Sequence, residues 1–173
     1  VRELTPAIFA EYDGLIFVAP TGLVIRSLAS SVQSKLSDPA VVVVDVGGRT
    51  VVSLLSGHEG GANDLAVRVA NLIDAEPIIS TTTEAVKDLI VGIGCRKGKS
   101  ASEIIKAVKD VLAAEHIPLS RVRYFATADV KAAEAGLIDA AATLAIPLRI
   151  ISSERIRSCQ QSFERSEFVQ KQV

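Results

Sequence analysis

The chain has 173 residues, enough for one large domain or two small ones at roughly 150 residues per domain. Its 49% hydrophobic content supplies ample mass for a core, and the mean hydropathy is +0.35. No uninterrupted apolar run, such as Ala40–Val44, approaches the roughly 18 residues that span a bilayer, which argues against membrane insertion. The balance of 19 basic and 20 acidic residues, a net charge of −1, gives no overall field toward nucleic acid or a membrane surface. With 4% aromatic residues and no Trp, few platforms exist on which single-stranded nucleic acid could stack.

Two cysteines (Cys95, Cys159) and two histidines (His58, His116) are too few and too scattered for a zinc site or a disulfide framework. A reducing cytoplasmic setting and no protein-held metal are therefore expected. The chain opens at Val1, contains no Met and shows no signal-peptide pattern, so we expect a piece of a longer product.

The elements alternate as in an α/β protein. Leu15–Val18 reads as a strand closed by Ala19-Pro20-Thr21-Gly22, and Ile25, Leu28, Ala29, Val32 and Leu36 predict one buried helical stripe behind it. Strands are predicted over Val41–Asp45 and Thr50–Leu55, joined by a Val46-Gly47-Gly48-Arg49 hairpin turn. Ser56–Gly61 is a glycine-rich loop leading into a helix with Leu65, Val69, Leu72 and Ile73 on one face, and Pro77–Ile79 is a further strand. A second unit starts with strand Leu89–Ile93, the loop Gly94–Ser100, and a helix opened by a Ser100/Glu103 capping box that buries Ile104, Val108 and Leu112. Strand Val122–Ala126, an Ala-rich helix ending at Gly136, a helix over Leu137–Ala145, strand Leu148–Ile151 and a short helix from Ser152 or Ser153 complete the pattern. Two small three-layer α/β units follow, residues 1–84 and 88–173, each with a Gly-rich loop between strand and helix.

Three loops fall after strands and before helices, where an open α/β sheet binds ligands. The first holds Thr21, Gly22 and Arg26; its plain alternative is a tight turn. The second, Ser56 to Asn63, combines Gly57, Gly60 and Gly61, whose backbone can approach a ligand closely, with His58, which can move a proton near neutral pH, beside Glu59. A surface histidine among turn glycines is the alternative there. The third is Gly92-Ile93-Gly94-Cys95-Arg96-Lys97-Gly98-Lys99-Ser100. It misses the P-loop register because residue 93 is Ile, and it misses the dinucleotide fingerprint because residue 97 is Lys. What remains is an anion cradle of exposed amides with Arg96, Lys97 and Lys99. Cys95 reads either as a packing residue or as a nucleophile.

Two of these loops resemble one family. Leu54-Leu55-Ser56-Gly57-His58-Glu59-Gly60-Gly61-Ala62-Asn63 is similar to the LLSGHxGGAN segment of the CbiG proteins, the cobalt-precorrin-5A hydrolases of anaerobic cobalamin biosynthesis. Val91–Gly98, VGIGCRKG, resembles the opening of that family's C-terminal, CobE-like domain, and Ala19–Arg26 and Asp38–Val43 resemble its ATGIVVR-type and DPAVVV segments. The resemblance covers nearly the whole chain in order. It departs at both ends, lacking the E-P-A-A-type segment after Phe168-Val169, and at Thr83–Asp88, where a longer interdomain stretch is expected.

The resemblance implies opening of the ring-A δ-lactone of cobalt-precorrin-5A, release of acetaldehyde and formation of cobalt-precorrin-5B. His58 would act as general base and acid, Glu59 would orient it, and amides around Gly60 and Gly61 would hold the oxyanion. Arg26, Arg96, Lys97 and Lys99 would hold the carboxylate arms of the tetrapyrrole. Thr21, Gly22, Ser56, Gly57, Asn63, Gly92, Gly94, Cys95 and Gly98 would contact the substrate. Cobalt arrives with the substrate, so no cofactor is required, and product could be channelled to other enzymes of the pathway. Two other readings stand beside it: a non-catalytic tetrapyrrole carrier, and a phosphate-binding module.

Overall fold

The computed structural model describes residues 4–159 and divides into two compact units, Val1–Ala85 and Val86–Val173. In the first unit the order is α1 (Thr5–Phe9), β1 (Gly14–Val18), α2 (Thr21–Leu28), β2 (Ala40–Val44), β3 (Thr50–Leu55), α3 (Ala62–Ile73), β4 (Glu76–Ile78) and α4 (Thr82–Ala85). The strands form one sheet in the order β1-β2-β3-β4. All five residues of β2, Ala-Val-Val-Val-Val, are buried, as a central strand covered on both faces requires. Ala40, Val42 and Val44 pack with Ala62, Ala66, Val69 and Ala70 of α3, whereas Val41 and Val43 pack with Phe9, Leu15, Val24 and Leu28 on the opposite face. The alternation of side chains along one strand thus builds three layers. Each fully buried valine contributes about 1.5–3 kcal/mol.

The pairing of the strands decides where the loops lie. β1 runs parallel to β2, with Val18 opposite Val44, but β3 returns antiparallel, with Leu55 opposite Val41 and Val51 opposite Val44. The reversal is made by the turn at residues 45–50, where the Asp45 carboxylate accepts the N–H groups of Gly47, Arg49 and Thr50 and the Thr50 hydroxyl. The Thr50 N–H, more than the other donors, holds the Asp45 carboxyl below its usual range.

Two helical faces differ from the expected ones. Of the expected stripe only Leu28 is buried: α2 ends there, Ile25, Ala29, Val32 and Leu36 are exposed, and the helix instead buries Val24, Ser27 and Leu28. Beyond it the Asp38 carboxylate accepts the N–H groups of Gln33 and Ser34, an alternative to helical bonding that ends the helix. On α3, Leu72 and Ile73 are exposed, because the tight approach to β2 selects the small face of Ala62, Ala66 and Ala70.

The second unit contains β5 (Leu89–Gly92), α5 (Ala101–Ala114), β6 (Val122–Ala128), α6 (Ala135–Thr143), β7 (Leu148–Ile151) and α7 (Ser153–Cys159). Its sheet is parallel throughout, in the order β5-β6-β7, so β5 is an edge. The capping box forms as expected, and Ile104, Val108 and Leu112 are buried. Gly136 does not end a helix; it is the second residue of α6. It sits there because α6 crosses the start of α5 so closely that any Cβ on residue 136 would overlap the Lys99 carbonyl. A single helix, α6, therefore replaces the two expected between residues 127 and 145, preceded by a 3₁₀ turn at Asp129–Lys131.

Candidate functional site

The glycine-rich loop of the first unit is a closed structure. Ser56, directly after β3, adopts φ +57°, and its carbonyl accepts the N–H groups of Gly60 and Ala62, each at 3.1 Å. The Gly57 carbonyl accepts the Asn63 N–H at 3.0 Å, which draws the chain into α3. The turn is too tight for side chains at two positions. A Cβ on Gly57 would stand 2.9 Å from Asn63 Oδ1, and one on Gly60 would stand 2.5 Å from the Ser56 Cβ.

Four segments meet around this loop. Asn63 is buried; its Oδ1 accepts the Ser53 hydroxyl at 2.8 Å and its Nδ2 donates to Thr81 Oγ1 at 3.4 Å. His58 is exposed, and its Nε2 is hydrogen-bonded to the Thr83 hydroxyl. Glu59 pairs with Lys35 at 2.9 Å, and that contact, chiefly its hydrogen bond, holds the Glu59 carboxyl below its usual range. The side chain that touches His58 is thus Thr83, while Glu59 is engaged elsewhere. The amides of Gly60 and Gly61 are likewise engaged, donating to Ser56 O and His58 O. Among the described residues, the Gly57 and His58 N–H groups have no protein acceptor and are available as donors.

Thr21, Gly22 and Arg26 are not part of this cluster. They follow the carboxyl end of β1, beside Val44 of β2, whereas the glycine loop follows β3 beside Val41. The antiparallel β3 places the two loops at opposite ends of the sheet. The expectation that strand-to-helix loops gather at one edge holds for parallel sheets, and the hairpin breaks it. Arg26 folds back instead, donating from Nη1 to Gly22 O at 3.2 Å. Lys35, Thr81 and Thr83 occupy the glycine-loop end, and the sequence reading missed all three. The run Ser80-Thr81-Thr82-Thr83, directly after a strand, was the one available signal.

In the second unit, the loop after β5 is pinned at both ends. Ile93 N–H donates to Ala126 O at 2.8 Å, and the Thr127 hydroxyl donates to Ile93 O at 2.9 Å. Gly98, at φ +77°, donates its N–H to Glu134 Oε1 at 2.6 Å, and this bond is the main reason the Glu134 carboxyl lies below its usual range. Lys99 pairs with Glu103 at 2.6 Å. That contact first, and the Ser100 N–H and hydroxyl second, bring the Glu103 carboxyl down to about 2. Arg96 has no protein partner among the described residues. It lines a cavity of about 910 Å³ between the edge strand β5 and α5, together with Cys95 and an apolar wall including Ile90, Ile93, Ala107 and Val111. Gly92 and Gly94 also line this cavity, whereas Lys97 and Gly98 do not. The free thiol of Cys95 is half-buried there.

Two small α/β units, one carrying an imidazole on a closed glycine loop and the other a cationic loop over an apolar cavity, define a two-unit α/β protein. Residues 3–84 match the family described as cobalamin synthesis G N-terminal, and residues 89–173 match that described as cobalamin synthesis G C-terminus. The chain belongs to the CbiG family. It is 40% identical over 121 residues to a cobalt-precorrin-5A hydrolase of Priestia megaterium, covering 68% of this chain and 32% of that protein. It is 51% identical over 76 residues to the cobalt-precorrin-5A hydrolase of Salmonella typhimurium, covering 44% of this chain and 22% of that protein. The matched regions therefore span about a third or less of these two relatives. A relative from Methanocaldococcus jannaschii is 24% identical, with 92% of this chain and 72% of that protein covered. That alignment runs to 233 positions, more than the 173 residues of this chain, so the relative carries internal residues that have no counterpart here. Among the described residues, no helix is long and apolar enough to cross a membrane.

Proposed function

We propose that this chain acts in cobalt-precorrin-5A hydrolysis, opening the ring-A δ-lactone and releasing acetaldehyde to leave cobalt-precorrin-5B. The observation that carries the proposal is His58, an exposed imidazole on the glycine loop, hydrogen-bonded through Nε2 to Thr83. Hydrolysis of a lactone requires a base to take a proton from water and donors to receive the developing oxyanion. His58 takes a proton from water as the water oxygen adds to the lactone carbonyl, the Gly57 and His58 amides receive the oxyanion, and the proton passes to the departing ring oxygen as the acyl C–O bond breaks. The freed alcohol then loses its proton as the carbon–carbon bond to the macrocycle breaks, so the two-carbon unit leaves as acetaldehyde and the macrocycle keeps the electron pair and takes up a proton. Glu59, held as an ion by Lys35, keeps a fixed negative charge next to the imidazole. Cobalt is part of the substrate, and no protein-held metal enters the scheme. Two free cysteines suit a reducing cytoplasmic setting.

The second unit supplies binding. Arg96 is open to a carboxylate arm of the macrocycle, with Lys97 beside it, and the apolar cavity receives the ring's hydrocarbon edge. Lys99, already paired with Glu103, contributes less. This division favours one alternative, a carrier that grips the tetrapyrrole without chemistry. Anaerobic incubation with cobalt-precorrin-5A separates the two readings: a hydrolase releases acetaldehyde in step with substrate loss, and a carrier binds the macrocycle and releases none.

A further inference from the structure

Ser56 combines two features that a structural residue at this position would avoid. Its backbone is left-handed at φ +57°, a conformation that glycine adopts without steric cost and a side chain does not. Its hydroxyl is the only buried side-chain oxygen or nitrogen among the described residues that lacks a hydrogen-bond partner, in a residue 6% exposed. Alanine would remove the second cost, and glycine would remove both. Unfavourable features that persist together at one residue point to a role outside folding.

The surroundings say what covers that hydroxyl. Gly60 lies directly against the Ser56 side chain, with room for no Cβ of its own. The arc from His58 to Gly60 is exposed, and its ties to the rest of the unit are few. The Gly60 N–H bonds to Ser56 O, the Gly61 N–H reaches His58 O at 3.3 Å, His58 meets Thr83, and Glu59 meets Lys35 in a solvent-exposed ion pair. An exposed pair of this kind holds a loop only weakly. The unengaged N–H groups of Gly57 and His58 belong to the same turn.

We propose that the Ser56 hydroxyl is a substrate-contacting donor kept covered by the His58–Gly60 arc. When the arc lifts, it hydrogen-bonds a carbonyl or carboxylate oxygen of the ligand alongside the Gly57 and His58 amides. This rests on the tetrapyrrole-lactone reading above, in which Ser56 is already expected to contact the substrate, and adds that its hydroxyl is the contacting donor and that the arc must lift to free it.

The test compares Ser56→Ala and Ser56→Gly with the wild-type chain for melting temperature, cobalt-precorrin-5A binding and acetaldehyde release. Both variants are expected to melt at or above the wild type while losing about ten- to hundredfold in turnover, the range for a hydrogen bond to a charged oxygen. A melting temperature lowered by several degrees in Ser56→Ala would show that the hydroxyl has a structural partner and would overturn the proposal, as would unchanged turnover. If the wild type binds the macrocycle without releasing acetaldehyde, the hydrolase reading fails. The Ser56 proposal then stands on weaker binding by the variants and falls on equal binding. A wild type that does not bind overturns both.

Discussion

His58 Nε2 and the Thr83 hydroxyl are hydrogen-bonded across 25 residues of sequence, joining the glycine loop to the threonine run that follows β4. The bond orients the imidazole on the closed arc and is one of the ties the arc must release when it lifts. Thr83→Val keeps the shape and removes the hydroxyl, and it is expected to lower acetaldehyde release about three- to tenfold with little change in macrocycle affinity. Steady-state turnover set beside a binding titration measures the split. Equal loss in both would assign Thr83 to binding instead.

Asn63 joins Ser53 of β3 to Thr81 from within α3, and it is buried. Asn63→Leu leaves two hydroxyls short of a partner and is expected to destabilise the first unit by about 2 kcal/mol or more. A shift in the denaturant midpoint of this unit reports it, and an unchanged midpoint would contradict the packing described.

Gly136 faces the Lys99 carbonyl with no space for a Cβ. Gly136→Ala must push α6 from α5, which costs about 1–3 kcal/mol as overpacking does. An alanine in place of glycine inside an exposed helix would normally stabilise, so the sign alone decides. Lower stability in chemical denaturation is the expected result.

At the start of α5, Ser100→Ala removes the cap and is expected to cost about 1 kcal/mol. The same cluster predicts a pH dependence. The Glu103 carboxyl, at about 2 against its usual 4.5, is lower in the folded state than in the unfolded one. Its contribution is therefore fully present above about pH 4.5 and is lost as pH falls toward 2. Glu103→Gln is expected to flatten the acid limb of a stability–pH curve over that window. An identical acid limb in the variant would remove Glu103 from the account.

For ligand binding, Arg96 and Lys99 should separate. Among the described residues Arg96 has no protein partner, while Lys99 is already paired with Glu103. Arg96→Ala is expected to weaken binding of the carboxylate-rich macrocycle about tenfold, and Lys99→Ala by less than half of that on a logarithmic scale. Absorbance titrations of the two variants check the order, and a reversed order would contradict it.

The strands were legible because their signals are local: β2 is an unbroken apolar run, and Ser100 with Glu103 states its helix start in four residues. What escaped depended on partners distant in sequence. Val32 and Leu36 keep a helical spacing, yet the Asp38 carboxylate captures the backbone N–H groups of Gln33 and Ser34 between them. Gly136 looked like a helix end because nothing nearby shows that the Lys99 carbonyl presses on it. In the candidate site, His58 was visible as a rare residue in a glycine loop. Its neighbours were not, because the antiparallel return of β3 carries the loop away from Arg26 and toward Lys35, Thr81 and Thr83. The predicted Val46–Arg49 hairpin already carries that reversal; which side chains meet the loop at its end of the sheet depends on partners distant in sequence.

In the proposed reaction His58 moves the proton in lactone opening. The most direct measurement is single-turnover release of acetaldehyde from cobalt-precorrin-5A under anaerobic conditions, comparing the wild type with His58→Ala at matched occupancy of the macrocycle. The account predicts retained binding and a fall in rate of about 10²-fold or more in the variant. Equal rates at equal occupancy would remove the imidazole from the reaction and contradict the account.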